Sequence, residues 1–359
     1  MEVASLYTLW YLLYMLYLTS NFISFIGSHK LVLDAFAHKA LSVDELIEKL
    51  NENKKRKNRK GAESAAASIN EAEFNKLERA LEKWIDEKRF TEYDKSREEI
   101  ARELNTSKEI LHHYFTSRLG MDFKTWRTQL RIEDAKKMLL SLEGIYRTHA
   151  LFAMCNAHSR EDNIIIKGTT LPLLRQQHYH EGEYNFCLSD FVSPREDKIG
   201  VFATTVDSTF GHEYKHDEYL NIIAQALADR LAEATATVMH RAVRTQKDLW
   251  GYAPDEQLTV EELNREEFQG IRPAVGYPSL PDQSVIFILD KILHLKGIGI
   301  ELTANGAMFP HASVCGIMIS HPASRYFAVG KISEEQLSDY ADRRGMSVAE
   351  LRKYLTKNL

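Results

Sequence analysis

Cysteine is scarce in this 359-residue chain, and the three present do not pair. Cys155, Cys187 and Cys315 are odd in number, far apart and without metal-ligand spacing, which argues against a disulfide framework and fits a reducing compartment. Excess basic charge is also missing. A formal net charge of -5 and a pI near 6.3 confine any nucleic-acid surface to a local patch. No Gly-x-Gly-x-x-Gly follows a predicted strand, so a nucleotide-binding Rossmann unit has no support. The length leaves room for two or three domains.

Charge is absent altogether from residues 3–28, which are rich in Leu, Tyr, Phe and Ile. A helix of that length crosses roughly 30 Å of hydrocarbon, so residues 1–30 are predicted to form a single transmembrane helix. A cleaved signal peptide is the rival, but no basic residues precede the run and no small-residue cleavage site follows it. Lys30, Lys39 and the basic run at 54–60 lie on its carboxyl side. The positive-inside rule then predicts a single-pass protein of the inner (cytoplasmic) membrane with the bulk of the chain in the cytoplasm. Residues 31–70 read as a basic juxtamembrane region and small-residue linker, suited to anionic lipid headgroups.

From residue 71 to 140 the pattern is helical. Phe74, Leu77, Leu81, Trp84 and Ile85 make one apolar face, and Ser96 with Glu99 has capping-box spacing. Asn105-Thr106-Ser107 predicts a tight turn into a further helix that ends at Gly120, which is helix-turn-helix spacing. Residues 100–107, 115–123 and 130–140 resemble the first helix-turn-helix and linker helix of AraC-type transcription regulators. The resemblance implies DNA contact through Lys108, Glu109, His112, His113 and Thr116, with Ile110, Leu111, Tyr114 and Phe115 in the core. Basic and acidic residues balance across 71–140, and the family's second helix-turn-helix has no counterpart here. A dimer would supply the missing half.

A linker over 141–152 precedes an α+β domain at 153–359, with helices set against an antiparallel sheet. Residues 163–166, 198–205, 313–319 and 326–332 read as strands, 219–243 as a long helix and 347–355 as a final helix capped by Ser347 and Glu350. His212-Glu213-Tyr214-Lys215-His216 fits the His-Glu-x-x-His pattern of zinc hydrolases, but no third ligand follows and it reads as polar residues at an open helix start. No metal site is expected.

The loop at 269–278, Gln-Gly-Ile-Arg-Pro-Ala-Val-Gly-Tyr-Pro, is suited to hold a ligand. Arg272 offers a fork of donors to a carboxylate, and Gly276 permits close approach to the backbone. Together with Asn185-Phe186-Cys187-Leu188-Ser189-Asp190-Phe191-Val192-Ser193-Pro194, Trp250-Gly251-Tyr252-Ala253-Pro254 and Ser320-His321-Pro322-Ala323-Ser324-Arg325-Tyr326-Phe327-Ala328-Val329, it resembles the activation domain of cobalamin-dependent methionine synthase. That family binds S-adenosylmethionine to remethylate an oxidised cobalamin during reduction by a flavodoxin-like donor. The resemblance implies that Asp190 meets the ligand's ammonium group and Arg272 its carboxylate. It places Ala274 and Gly276 on the ligand loop, Tyr326 and Phe327 as an aromatic pair beside the ligand, and Glu233 near the sulfonium. No separate catalytic residue is implied. Phe327 replaces a tyrosine, Gln283 a histidine and Val275 a proline of the family pattern. The Asp-x-His-x-x-Gly of a cobalamin module does not occur, so the expected partner is a cobalamin-bearing methionine synthase module reactivated in trans. The alternative is a membrane-tethered, AraC-type DNA-binding regulator that senses S-adenosylmethionine.

Overall fold

The computed structural model describes residues 65–359 apart from 93–94, 178–183, 260–261, 264, 356–357 and 359. The predicted transmembrane helix and the basic run after it lie outside the described residues. Among those described, no helix is long and apolar enough to cross a membrane. The chain divides into two compact units. One holds the described residues up to Glu143 with Gly211–Leu227, and the other holds Gly144–Phe210 and Ala228–Leu359.

The first unit is helical. Helix α1 (Ala65–Asp86) buries Phe74, Leu77, Leu81 and Trp84, the stripe at three- and four-residue spacing that defines its inner face. Helix α2 (Arg97–Glu103) begins with the predicted capping box: the Ser96 amide donates to Glu99 at 2.7 Å and the Ser96 hydroxyl accepts the Glu99 amide at 3.3 Å. Helix α3 (Lys108–Tyr114) is capped by Ser107 and continues as a π turn, Phe115–Leu119, that stops at left-handed Gly120. Asp122 caps α4 (Phe123–Leu142) by accepting the Thr125 amide at 2.7 Å. Trp84, Phe115, Phe123 and Trp126 meet in the middle, the two indoles stacked 6.1 Å apart. Residues 104–107 join α2 to α3, with Leu111, Tyr114 and Phe115 buried and Ile110 half-buried.

The second unit is built on a five-stranded antiparallel sheet formed by β1 (Thr148–Arg160), β2 (Asn163–Ile166), β3 (Thr169–Pro172), β4 (Asp197–Val206) and a late strand, in the order β3-β2-β1-β4-late strand. Strand β1 begins at Thr148, so the last part of the predicted 141–152 linker is sheet. Helix α5 (Glu218–Thr245) follows, its residues up to Leu227 counted with the helical unit, then α6 (Ile286–Leu293), the small hairpin β5 (Glu301–Leu302) and β6 (Met308–Phe309), and β7 (Ser313–Met318), which is the late strand. Strand β4 is buried along nearly its whole length because both faces are covered. Ile199, Val201 and Ala203 point into a core shared with Ile286, Leu289 and Leu293 of α6, while on the opposite face the Thr204 hydroxyl donates to Ala232 O of α5 at 2.8 Å. Helices α7 (Glu334–Arg344) and α8 (Val348–Leu351) close a second cluster on Leu174, Val329 and Ile332, and Ser347 caps α8 as expected.

Two expectations are corrected. Residues 326–332 are not a strand, because their backbone is satisfied by loops: Val329 N–H donates to Pro278 O at 2.9 Å, Ile332 N–H to Asn358 O at 2.9 Å and Phe327 N–H to the Ser279 hydroxyl at 3.1 Å. The His212–Tyr214 segment is a separate 3-10 turn, with α5 starting beyond it at Glu218. Its histidines therefore do not share one α-helical face, and among the described residues no group of three or more His, Cys, Asp or Glu is placed to hold a metal.

Candidate functional site

Residues 269–278 are fastened to β7 by their own backbone. Ile271 and Ile319 exchange N–H···O bonds of 2.9 Å, Pro273 O accepts the Ile317 amide at 3.0 Å, and Val275 N–H donates to Cys315 O at 2.9 Å. The loop lies so close to β7 that a Cβ on Gly316 would stand 2.2 Å from Pro273 O. Gly276 turns with φ 84, and a Cβ there would meet Gln283 Oε1 at 2.6 Å. Its bareness thus makes room for Gln283, which itself donates to Gly306 O at 2.8 Å. Ala274 is buried against Gly316 and contributes backbone rather than a side chain to any ligand surface.

Anchoring of the loop aims Arg272 at helix α5. Its guanidinium donates to the Thr237 hydroxyl at 2.9 Å and pairs with Glu233 at 3.4 Å, while its main-chain N–H donates to the Tyr326 hydroxyl at 2.9 Å. The Tyr277 hydroxyl donates to the other Glu233 oxygen at 2.5 Å. Burial first, and the Glu233 anion second, raise the Tyr277 pKa, so its proton stays available for that bond. The Tyr326 ring is partly exposed, but its hydroxyl is enclosed against the loop, and burial pushes it up to about 12. Arg272, Glu233 and two tyrosines thereby form a cationic, anionic and aromatic cluster open to solvent on one side.

The same face of α5 continues inward. Glu233, Thr237, His240 and Arg244 recur at helical spacing, and the last three are buried. His240 Nε2 lies 3.0 Å from the Tyr252 hydroxyl, and its ring meets Phe268 edge-on. Arg244 makes a bidentate pair with Glu256 at 2.7 and 2.6 Å and lies 4.2 Å over the Phe268 ring. Burial, then the charges of Arg244 and Arg272, hold the His240 pKa well below its ordinary value, so the imidazole is neutral at pH 7. These contacts hold the segment that leads into Arg272.

Asp190 is positioned differently. It lies on the 3-10 turn Leu188–Phe191, exposed, with both carboxylate oxygens 2.7 Å from the Arg175 guanidinium and one accepting the Cys187 amide at 2.8 Å. Arg175 also holds Asp162 and the Asn185 carbonyl. An aromatic run links this turn to the loop: Phe191, Phe186 and Phe327 are spaced 5.8 and 6.0 Å between centroids. Phe327 is half-buried and packs into both cores of this unit, with its backbone held by Ser279.

Glu233, Arg272, Ala274, Gly276 and Tyr326 are thus brought together, with Phe327 adjoining and Asp190 on the far side of the aromatic run. Sequence reasoning missed Tyr277, Thr237 and Arg175. Tyr277 directly follows Gly276, and Thr237 is one helical turn beyond Glu233, so spacing alone pointed to both. In the helical unit, Lys108, Glu109, His112, His113 and Thr116 are all exposed on α3 and its π turn, with Lys108 paired to Glu98 and the Thr116 hydroxyl donating to His112 O at 2.9 Å.

The family described as vitamin B12 dependent methionine synthase, activation domain, matches residues 111–345. Among solved structures, one described as the MetH reactivation domain bound to AdoHcy is 39% identical, with a TM-score of 0.61, over 67% of this chain and 80% of that one. The family match opens inside α3 and takes in α4 together with the sheet unit as far as Gly345, at the end of α7.

Proposed function

The chain belongs to the activation-domain family of vitamin B12 dependent methionine synthase, and from that premise we propose that the Arg272 cluster binds S-adenosylmethionine. The carrying observation is that Arg272 and Glu233, 39 residues apart, converge with their side chains 3.4 Å apart beside two tyrosines. A zwitterion with a sulfonium needs a cation for its carboxylate and an anion near its sulfur, and this pair supplies both. In this reading Arg272 holds the carboxylate, Glu233 faces the sulfonium, Ala274 and Gly276 offer backbone, and Tyr326 with Phe327 flanks the ligand. Asp190 meets the ammonium group, oriented for it by Arg175. The bound ligand supplies the methyl group that returns an oxidised cobalamin, carried by a partner methionine synthase module, to its working state. We assign to this chain an activation role performed in trans, with a flavodoxin-like protein as electron donor and the membrane as its location.

Calorimetric titration of S-adenosylmethionine and S-adenosylhomocysteine into the full-length chain tests the reading. Saturable binding that weakens at least tenfold in Arg272→Ala is expected. Unchanged affinity in Arg272→Ala and Asp190→Ala, with folding retained, overturns these assignments.

A second reading, DNA recognition by α3, draws on its exposed Lys108, Glu109, His112, His113 and Thr116 after a tight two-helix turn. Duplex binding that falls in the Lys108→Ala, His112→Ala double variant supports it; no salt-sensitive binding to any duplex removes it.

A further inference from the structure

A cleft of about 610 Å³ opens in the sheet unit, and none of the residues assigned above lines it. Its floor is the sheet face opposite the α6 core. Asn156 and His158 of β1 stand on that face, with Lys198 of β4 in register with Asn156 and Ile165 of β2 in register with His158. The walls are the Lys167-Gly168 turn, the Arg195-Glu196 loop and Trp250 beyond the end of α5.

Three features point to an anionic ligand with a planar ring. Lys167, Arg195 and Lys198 are all exposed, and among the described residues none of them has an ion-pair partner. Of the two acids in the lining, Asp197 is turned to backbone, one oxygen accepting the Ser193 amide at 2.9 Å and the other the Lys198 amide at 2.8 Å. Its charge is directed away from a ligand, which leaves Glu196 alone against three cations. Trp250 is half-buried and braced edge-on by Tyr252 at 5.0 Å, so its ring orientation is fixed before any ligand arrives. The turn at Gly168 leaves open space where a Cβ would be, so a ligand can approach its main chain. The cleft is also of the size that holds a nucleotide-sized molecule.

We propose that this cleft is a second binding site, distinct from the Arg272 cluster, for a phosphate monoester carrying a planar ring. Lys167, Arg195 and Lys198 take the phosphate and Trp250 takes the ring.

The probe is adenosine 5′-monophosphate titrated into the full-length chain by calorimetry, with adenosine and inorganic phosphate as part-ligands. Saturable binding, weakened at least tenfold by Arg195→Glu with Lys198→Glu and by Trp250→Ala, supports the site, as does weaker binding of either part alone. Arg272→Ala and saturating S-adenosylmethionine should leave it unchanged, so the failure of one site is separable from that of the other. Three results overturn the proposal: no binding at millimolar concentration, binding indifferent to the charge reversals in a folded protein, or competition with S-adenosylmethionine. Circular dichroism of each variant separates a lost site from a lost fold, and the milder Lys198→Gln should still lower affinity severalfold if the first variants fail to fold.

Discussion

Replacing Gly316 by alanine probes the position of the loop without changing any residue assigned to the ligand. The new Cβ would stand 2.2 Å from Pro273 O, 2.8 Å from Ala274 Cα and 3.0 Å from the Phe202 ring. Two of these are backbone atoms, which cannot rotate away, so the loop must retreat from β7 by roughly 1 Å to restore ordinary contact. That movement strains the 3.0 Å Ile317-to-Pro273 bond and the 2.9 Å Val275-to-Cys315 bond. Losing both costs about 2 kcal/mol, and overpacking beside buried Phe202 adds about 1 kcal/mol or more. We therefore expect Gly316→Ala to lose about 3 kcal/mol in denaturant unfolding. S-adenosylmethionine affinity should fall at least tenfold in the protein that remains folded, because Arg272 and the Tyr326 anchor move with the loop. Gly297→Ala is the control: nothing lies within 4 Å of the position a Cβ would take, and no strained φ is involved. It should change stability by less than about 1 kcal/mol and leave binding intact. A Gly316→Ala protein with wild-type midpoint and wild-type affinity would refute the argument that loop position sets the site.

The buried Arg244–Glu256 pair predicts a non-additive result. Arg244→Met strands a buried carboxylate and should cost about 3–5 kcal/mol, whereas Arg244→Met with Glu256→Leu should recover most of it in a denaturation series. His240 predicts a pH dependence. Its folded pKa is held well below the ordinary 6.5, so below that pH the unfolded chain takes up a proton that the folded chain refuses. Its stabilising contribution is full above 6.5 and is lost as pH falls, by about 1.4 kcal/mol per unit. Midpoints measured from pH 7.5 to 5 should show a shallower loss in His240→Gln than in the parent, and parallel curves would contradict the burial argument. At the helical unit, Ser96→Ala removes the side-chain half of the capping box, the hydroxyl that accepts the Glu99 amide, and should lower stability by about 1 kcal/mol in thermal unfolding.

Much of this architecture was readable where local chemistry and tertiary packing agree. The Ser96, Ser107 and Asp122 caps, the Gly120 stop and the Phe74-to-Trp84 stripe fix the helical unit, because each is satisfied within a few residues of chain. Strands β2, β4 and β7 were legible as short apolar runs. Strand β1 was not, since its burial pattern has no clean alternation, and β3 was overlooked although Lys167-Gly168 is a two-residue turn with φ 48 and 82. The 326–332 segment has strand composition but lacks a partner strand; its hydrogen bonds go to residues 278 and 279 and to Asn358, a pairing no local pattern announces.

The site was harder to read than the fold because its decisive partners are remote. Helix α5 was recognised by its apolar stripe, yet the polar stripe of Glu233, Thr237, His240 and Arg244 runs along the same helix with the same period. Polar groups on a helix that packs against a sheet must find partners or remain costly, so such a stripe predicts a second polar surface facing it. That surface comes from Tyr252, Glu256, Phe268, Arg272 and Tyr277, all beyond the helix end. Exposure falls along the stripe, from half-buried Glu233 to Arg244 at 1%. The gradient separates two roles on one face. The dry end, with its charge neutralised by Glu256, holds the segment that leads into Arg272, whereas the Glu233 end carries the carboxylate and guanidinium that the proposed zwitterion would meet. A ligand that binds at the Glu233 end should therefore be sensitive to substitutions at the dry end that it never touches.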